Sequence, residues 1–455
     1  MTAPEGAISL EELRHLVEGG EVDTVLLALT DMQGRLQGKR CHARHFLDEV
    51  VPNAALACNY LLAVDVDMRT VPGYEMSSWE RGYGDFVLRP DVASLRIVPW
   101  LPGTVICLAD LEWADGSPVV ASPRQILRHQ ADRLAEHGWR ALAGTELEFI
   151  VFRDTYEEAW SKAYRGLVPA NLYNVDYSML GTSRIEPLLR RIRNEMAGAG
   201  LQPESAKGEC SPGQHEIAFK YSDLVTTADG HVLYKTGAKE IAAQEGMSLT
   251  FMAKFDDHEG NSCHVHISLR DDQGQPVFTV ADDGSPSGPF ANFMAGMLAT
   301  LPELTLLLAP NVNSYKRYAA GSFAPTVLAW GLDNRTCSLR VVGHGASLRV
   351  ENRVPGGDAN PYLALAALVA GGLHGVENGL ELEEAFVGNA HEATDLARVP
   401  STLTEAAALF ERSEVARFAL GDEVVDHYTN MARIELAAFE SSVTDWERFR
   451  GFERL

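Results

Sequence analysis

Short stretches of alternating apolar and polar residues dominate the first quarter of the chain. Residues 9–18 have the pattern of a capped amphipathic helix. Strands are predicted at 25–30, 35–42, 61–66, 86–88, 94–98 and 104–111. A cluster of turn-forming residues at 113–118 then marks a boundary. We therefore predict a small, strand-rich domain over residues 1–118 and a larger one over residues 119–455.

Longer patterns with the period of amphipathic helices fill most of the second part. Helices are predicted at 123–137, 185–196, 228–244, 291–307, 359–371, 403–410 and 422–444. Strand-like stretches lie between them, but helices and strands do not alternate regularly enough for a doubly wound sheet. The predicted fold class is therefore α+β.

Several strand-like stretches of the larger domain carry carboxylates. Glu146 and Glu148 share one face of a strongly apolar strand, and Glu351 shares one face of another period-two stretch with Arg349 and Arg353. Glu209 and Glu216 flank a Pro-Gly turn that could bring them to a common point. Carboxylates are rarely buried unless they are paired or bound to a metal. The alternatives are a solvent-facing edge strand and an ordinary acidic loop.

The stretch at 263–269 alternates polar and aliphatic side chains. His264, His266 and Ser268 would share one face of this strand, with aliphatic residues on the other. This pattern is typical of a polar site built on a core strand. A pair of solvated or hydrogen-bonded histidines is the alternative.

Arginines are concentrated near these stretches, in a chain that is otherwise acidic. They are Arg317, Arg335, Arg340, Arg349 and Arg353. The guanidinium group suits carboxylate and phosphate oxygens, although surface ion pairs are the alternative. Five Glu and one His favour Mg²⁺ or Mn²⁺ over structural Zn²⁺. Carboxylate-held metal beside arginines indicates a phosphate-handling enzyme, and no P-loop or Gly-x-Gly-x-x-Gly motif is present.

Composition narrows the class of protein further. The 455 residues are 46% apolar and carry a net charge of −24, which argues against a nucleic-acid partner or an anionic membrane. Six scattered cysteines without a Cys-x-x-Cys pair, and no signal-like leader, favour reduced thiols in a cytoplasm. The longest apolar runs, such as 362–373, are shorter than the ~20 residues of a membrane helix. We expect a soluble cytoplasmic protein.

Taken in order, these motifs resemble the glutamine synthetase family. The matching segments are 144–149, 212–216, 260–269, 313–317, 334–335, 350–353, 360–362 and 443–447. The resemblance implies a β-grasp N-terminal domain, a catalytic domain, and a homo-oligomer of two stacked hexameric rings with active sites between subunits. It also implies ATP as a substrate and two or more Mg²⁺ or Mn²⁺ ions in each site.

The resemblance further implies a role for each residue of the site. One metal would be held by Glu148, Glu209 and Glu216, and the second by Glu146, His264 and Glu351. Arg317, Arg353 and Gly260 would bind glutamate. Arg335 and Arg340 would contact the ATP phosphates together with His266 and Ser268, and Arg317 and Arg335 would also act in catalysis. The implied reaction forms γ-glutamyl phosphate, which an amine then attacks.

The amine site departs from the family pattern. Glutamine synthetases have an acidic residue, which binds and deprotonates ammonium, where this chain has Phe323. An Asp-Gly-Ser-Ser segment of the family is also missing, although Asp85 matches a second acidic position. A neutral aromatic residue cannot bind and deprotonate ammonium as a carboxylate does, but Phe323 could line an amine pocket. Asp85 is the candidate base, with Glu75 and Glu80 as weaker ones.

These departures predict a ligase that joins glutamate to a primary amine, either ethanolamine or a polyamine. The alternatives are a true glutamine synthetase that uses ammonia, a ligase of the same fold that acts on a different acid, and an inactive structural or regulatory relative. All six implied metal ligands are present, which argues against the last. The sequence does not identify the amine.

Overall fold

Two β-sheets surrounded by helices make up the computed structural model, which describes residues 6–281, 284–318 and 322–455. The strands are β1 (Thr24–Thr30), β2 (Leu36–His42), β3 (Ala55–Cys58), β4 (Asp85–Pro90), β5 (Arg96–Ile97), β6 (Thr104–Glu112), β7 (Trp139–Phe152), β8 (Pro203–Gly208), β9 (Gln214–Phe219), β10 (Ser222–Asp223), β11 (Ser248–Thr250), β12 (Cys263–Asp271), β13 (Trp330–Leu332), β14 (Leu339–Val342) and β15 (Arg349–Asn352). The α-helices are α1 (Leu10–Glu18), α2 (Ala43–His45), α3 (Val51–Asn53), α4 (Pro123–Glu136), α5 (Tyr156–Ser161), α6 (Met179–Ser183), α7 (Glu186–Gly198), α8 (Leu224–Gln244), α9 (Gly288–Leu308), α10 (Pro361–Asn378), α11 (Leu403–Glu411), α12 (Glu414–Leu420), α13 (Asp422–Glu440) and α14 (Asp445–Gly451).

The first sheet is built from residues 24–112. Its strand order is β2-β1-β6-β4-β3, with β5 paired to β6, and only β1 and β6 run parallel. Helix α1 precedes the sheet and begins with the predicted capping box between Ser9 and Glu12. It turns Leu13 and Val17 towards the core. This part of the chain is thus rich in strands, while its separation as a domain over residues 1–118 stays a prediction.

The second sheet is built from residues 139–352. Its order is β13-β14-β15-β12-β7-β9-β8, with β10 and β11 also paired to β7. The long central strand β7 therefore lies between β12 and β9, and these three strands carry most of the acidic and imidazole side chains discussed below. Together with its helices, this sheet gives the α+β fold expected from the sequence.

Helices α9 and α10 pack closely against each other in the core. A Cβ at Gly375 would lie 2.0 Å from the carbonyl oxygen of Asn292, so only glycine allows this approach. Helix α9 is long and apolar enough to cross a membrane, but 67% of its most apolar window is buried inside the protein. Such burial is typical of the core helix of a soluble protein.

A buried ion-pair network joins the first sheet to the helices behind the second. Arg124 in α4 contacts Asp91 at 2.6 Å, Asp110 of β6 at 2.5 Å and Asp229 of α8 at 2.9 Å. The hydroxyl of Tyr362 in α10 donates to the Asp229 carboxylate at 2.6 Å. One arginine therefore connects both parts of the chain.

Two predicted elements differ from the structure. The strand expected at 61–66 is wrong, because Asn59–Leu62 forms a 3₁₀ turn and the edge strand β3 lies just before it. The apolar residues of that stretch, Leu62 and Val64, are buried without strand pairing of this length. The helix expected at 422–444 ends at Glu440, and α14 begins separately with a capping box between Thr444 and Glu447.

Candidate active site

The register of the second sheet brings the predicted acidic and imidazole side chains into one row. Glu148 of β7 lies directly opposite Glu216 of β9, and Glu146 lies opposite His264 of β12. On the other side of β12, His266 lies opposite Glu351 of β15, which in turn lies opposite Arg340 of β14. Side chains that are directly opposite on neighbouring strands lie on the same face. Five strands therefore contribute to one polar surface.

The first group in this row consists of Glu148, Glu209 and Glu216, and we call it the Glu148 cluster. Carboxylate oxygens of these three residues lie within 4.8 Å of one another. Glu209 reaches the group because the predicted turn forms: its backbone N–H donates to Gln214 across the turn at 2.9 Å. Gly213 in this turn has φ +74°, and a Cβ there would lie 2.6 Å from a backbone carbonyl oxygen.

Burial and mutual repulsion disfavour the ionised carboxylates of the Glu148 cluster. The pKa of Glu216 is raised to about 8, chiefly by burial; Lys207 lowers it, and the carboxylates of Glu146, Glu148 and Glu351 raise it. The Lys207 ammonium contacts Glu209 and lies 3.8 Å from Glu216. Two buried carboxylates and a half-buried one, with one lysine, form a site that favours an additional cation.

The second group, which we call the Glu146 cluster, consists of Glu146, His264, His266 and Glu351. His264 Nδ1 lies 3.3 Å from Glu146 and 3.5 Å from Glu351. His266 Nε2 lies 3.0 Å from the other oxygen of Glu146. Burial raises the pKa of Glu146, but its hydrogen bonds to the two histidines outweigh burial and hold this pKa well below its usual range.

The two histidines present different groups to the Glu146 cluster. Arg349 Nε donates to His266 Nδ1 at 3.2 Å, so the neutral His266 ring carries its proton on Nε2, the atom that faces Glu146. An N–H at this place suits an oxygen acceptor. Burial lowers the pKa of His264, and Arg353 lowers it further, which favours the neutral imidazole that a metal requires.

The donor set fits a hard divalent cation at each cluster. The carboxylate oxygens outnumber the imidazoles, and the one thiol nearby, that of Cys210, lies within 4.8 Å of Glu209 among the described residues. The Glu148 cluster offers only carboxylate oxygens. In the Glu146 cluster, ligand atoms of Glu146, His266 and Glu351 lie within 4.8 Å of one another, whereas the resemblance implies His264 as the histidine ligand, which stays a prediction.

Two arginines converge on Glu351. Arg340 Nη1 donates to one oxygen of Glu351 at 2.9 Å, and Arg353 Nη1 donates to the other. Glu351 is fully buried, and although burial raises its pKa, His264, Arg353 and His266 lower it below the usual range. The Nε of Arg353 is buried and has no hydrogen-bond partner among the described residues. Arg353 therefore keeps a free donor beside the cluster.

Arg317 lies in a different setting. It is buried, and it donates to the Val354 carbonyl at 3.0 Å and to Ser262 Oγ at 3.2 Å. A Cβ at position 260 would lie 2.5 Å from its Cγ, so Gly260 makes room for the Arg317 side chain. The structure therefore brings Arg317 and Gly260 together, as the resemblance implies.

Several other predicted residues lie outside the two clusters. Ser268 is buried on β12, two residues beyond His266, whereas Arg335 is exposed. Asp85 begins β4 of the first sheet and is exposed, and Glu75 pairs with Arg81 at 3.7 Å. Glu80 is exposed in the same part of the chain. These three carboxylates are thus arranged around the first sheet and not around the clusters of the second.

Phe323 is 66% exposed and lies beside a carboxylate that the sequence reasoning missed. Its backbone N–H donates to Glu259 Oε2 at 3.4 Å. Gln214 was also missed: its amide donates to Glu148 at 3.1 Å and to the Gly260 carbonyl at 3.0 Å. Gln214 is buried at the start of β9, and its place between the Pro-Gly turn and Glu216 was the available signal.

Comparison with known proteins places this geometry among enzymes. Residues 120–450 match the family model described as "Glutamine synthetase, catalytic domain". The chain is 65% identical over 448 residues to the gamma-glutamylethanolamide synthetase GlnA4 of Streptomyces coelicolor, covering 98% of this chain and 96% of that protein. It is 38% identical over 444 residues to a glutamate–isopropylamine ligase of a Pseudomonas species, covering 96% and 97%. The solved structure titled "Apo GmaS without ligand" superposes with a TM-score of 0.85 at 27% identity, covering 97% of this chain and 99% of that one.

Proposed function

The chain belongs to the glutamine synthetase family, and from that premise we propose that it joins the γ-carboxylate of glutamate to ethanolamine at the expense of ATP. It is an ATP-dependent glutamate–amine ligase, a carbon–nitrogen ligase. Ethanolamine is the amine we choose because the likeness to gamma-glutamylethanolamide synthetase is high and covers almost the whole chain. A polyamine is the second choice.

Two divalent cations, Mg²⁺ or Mn²⁺, would be held by the two clusters. The Glu148 cluster would hold one, and Glu146, His264 and Glu351 would hold the other. When bound, such ions neutralise phosphate charge and orient the reacting oxygens. The buried Glu216, with a pKa raised to about 8, supports this assignment because a cation would allow its carboxylate to ionise at neutral pH.

Glutamate would be bound by Arg317, Arg353 and Gly260. Arg353 supports this role with its buried, unpartnered Nε, and Gly260 with a carbonyl that Gln214 already holds in place. The exposed Arg335 is free to meet ATP, and Arg340 lies beside Glu351. His266 would donate its Nε2 proton to a phosphate oxygen, with Ser268 nearby on the same strand face.

The reaction would run in two steps. The γ-carboxylate of glutamate attacks the γ-phosphorus of ATP, giving γ-glutamyl phosphate and ADP. The amine then attacks the acyl carbon, and phosphate leaves. Arg317 and Arg335 would stabilise the negative charge that develops on the transferring group, because guanidinium groups fixed in a dry site need no reorganisation.

The amine pocket would include Phe323, with Glu75 and Asp85 reaching it from the first sheet of an adjacent subunit. Asp85 begins a strand of the first sheet of its own chain and Glu75 lies in the loop before it, so they can act here only if active sites form between subunits, as in the family. We therefore infer a homo-oligomer, with a dodecamer of two hexameric rings as our proposal. A cytoplasmic location is part of the same proposal.

An amine panel tests this function. Phosphate release from ATP and glutamate would be measured with ethanolamine, putrescine, spermidine and ammonium in turn, and the product identified by mass spectrometry. We expect the highest kcat/KM with ethanolamine. If ammonium matched or exceeded every amine, the proposal would be wrong and a true glutamine synthetase would remain.

A further inference from the structure

The carboxylate of Glu259 occupies the place next to Phe323. Its Oε2 accepts from the Phe323 backbone N–H at 3.4 Å, although the two residues are far apart in the chain. Glu259 is half-buried, whereas the Phe323 side chain extends into solvent. An acidic group is therefore present at this corner of the site, but it comes from a different loop from the one that carries it in glutamine synthetases.

Two hydrogen bonds attach the backbone around Glu259 to the Glu148 cluster. Ser211 Oγ donates to the Glu259 carbonyl at 2.7 Å. The next carbonyl, that of Gly260, accepts from the Gln214 amide, which also donates to Glu148. The loop is thus anchored to the turn that delivers Glu209, so Glu259 is held at a defined place beside the site.

The charges around Glu259 favour a cation. Across the described part of the chain, no lysine, arginine or histidine nitrogen lies within 4 Å of its carboxylate, and Lys254 on the same loop donates to the His258 carbonyl instead. Three carboxylates, those of Asp176, Glu148 and Glu259, lie near the thiol of Cys210. Burial raises the pKa of that thiol, and these three carboxylates raise it further. The surroundings are therefore negative, and the thiol itself stays neutral.

We propose that Glu259 binds the ammonium group of the amine substrate and accepts its proton. This inference rests on the proposed glutamate–amine ligase function and names a residue for its second step. A primary alkylammonium loses its proton only near pH ~10.4, as a lysine does, so the attacking nitrogen needs a base at neutral pH. Phe323 leaves room for the alkyl group while Glu259 supplies the charge.

The proposed step balances as follows. The ammonium transfers one proton to Glu259, and the freed lone pair forms the C–N bond to the acyl carbon of γ-glutamyl phosphate. The C–O bond to the phosphoryl group breaks, phosphate leaves with that electron pair, and it takes the second proton from nitrogen. The products are the amide, hydrogen phosphate and protonated Glu259, which then returns its proton to water.

The test compares two nucleophiles in Glu259→Gln. Hydroxylamine is uncharged at neutral pH and needs no carboxylate to bind or deprotonate it, whereas ethanolamine arrives as a cation. In the variant, kcat/KM for ethanolamine should fall about a hundredfold, while γ-glutamyl hydroxamate forms at an unchanged rate. Glu259→Asp should restore part of the ethanolamine activity. The matched control is Asp257→Asn, an exposed carboxylate of the same loop that should leave both reactions unchanged.

Two results would overturn the inference. If Glu259→Gln used ethanolamine as well as the wild type, Glu259 would have no role in amine binding. If it lost hydroxamate formation to the same degree, the residue would act on glutamate, ATP or the fold. An Asp85→Asn variant that lost only the ethanolamine reaction, beside an active Glu259→Gln, would assign the base to Asp85. Failure of the ligase function itself is a separate result, because the wild type would then form no γ-glutamylethanolamide.

Discussion

Without metal, ionisation of the buried Glu216 lowers the free energy of unfolding as the pH rises. Replacing Glu216 with Gln should remove this loss. In the folded state, burial among other carboxylates raises the pKa of Glu216 from 4.5 to about 8. The folded protein therefore binds this proton more tightly than the unfolded chain does. The stability due to this group is fully present below pH 4.5 and is lost as the pH rises through 8, at about 1.4 kcal/mol per pH unit. Between pH 6.5 and 8 the expected loss is ~2 kcal/mol.

Urea unfolding of the wild type and Glu216→Gln, followed by tryptophan fluorescence across this pH range, measures the effect. With a chelator present, the variant should gain ~2 kcal/mol relative to the wild type from pH 6.5 to 8. Other titrating groups, such as the buried histidines, contribute to both proteins and cancel in the difference. With Mg²⁺, the wild type should gain stability and the variant should gain much less, because a ligand has been removed. Glu204→Gln, an exposed carboxylate on β8, is the control.

Two outcomes would refute this reasoning. A difference in unfolding free energy that stays constant with pH would mean that Glu216 titrates normally in the folded protein. Equal stabilisation of both proteins by Mg²⁺ would mean that Glu216 is not a metal ligand. The first result concerns burial and the second concerns coordination, so the two parts of the argument can fail separately.

Three further predictions concern the site and the fold. Glu148→Ala and His264→Ala should abolish phosphate release from ATP and glutamate, and an active variant would contradict the metal assignment. Phe323→Glu should raise kcat/KM for ammonium relative to ethanolamine, because a second carboxylate then faces the small cation; an unchanged ratio would show that Phe323 does not line the amine site. Arg124→Leu should lower the unfolding free energy by ~3–5 kcal/mol, because it leaves Asp91, Asp110 and Asp229 without their buried partner. Urea unfolding checks the last value, with Arg412→Leu at an exposed helix end as the control.

Much of the fold was predictable because long amphipathic patterns and capping boxes are local signals. Helix α1 begins at its predicted cap, and α8, α9 and α10 lie where the helical period placed them. The stretch at 61–66 was mistaken for a strand because its apolar residues are equally buried by a 3₁₀ turn. An apolar run indicates that its residues are buried. It predicts the backbone conformation only when it is long enough to show a helical or strand period.

The site was predictable to the extent that it depends on alternation within a strand. Period two placed Glu146 with Glu148 and His264 with His266, but it could not show which strands are neighbours. The pairing of Glu148 with Glu216, and of His266 with Glu351, is a property of the sheet register. The family resemblance grouped Glu148 with Glu216, and the structure supplied the pairing of His266 with Glu351 and the hydrogen bond from Arg349 that distinguishes the two histidines.

Glu259 shows where sequence reasoning stops. At position 323 a substitution is visible, because an expected carboxylate is replaced by an aromatic residue. The compensating carboxylate is not visible there, because residues 259 and 323 become neighbours only when two loops meet beside the Glu148 cluster. In the sequence, Glu259 is one more acidic residue after Asp256 and Asp257, which are exposed. A charge lost from one loop can therefore be replaced from another, and only a variant such as Glu259→Gln can show whether the replacement carries the chemistry.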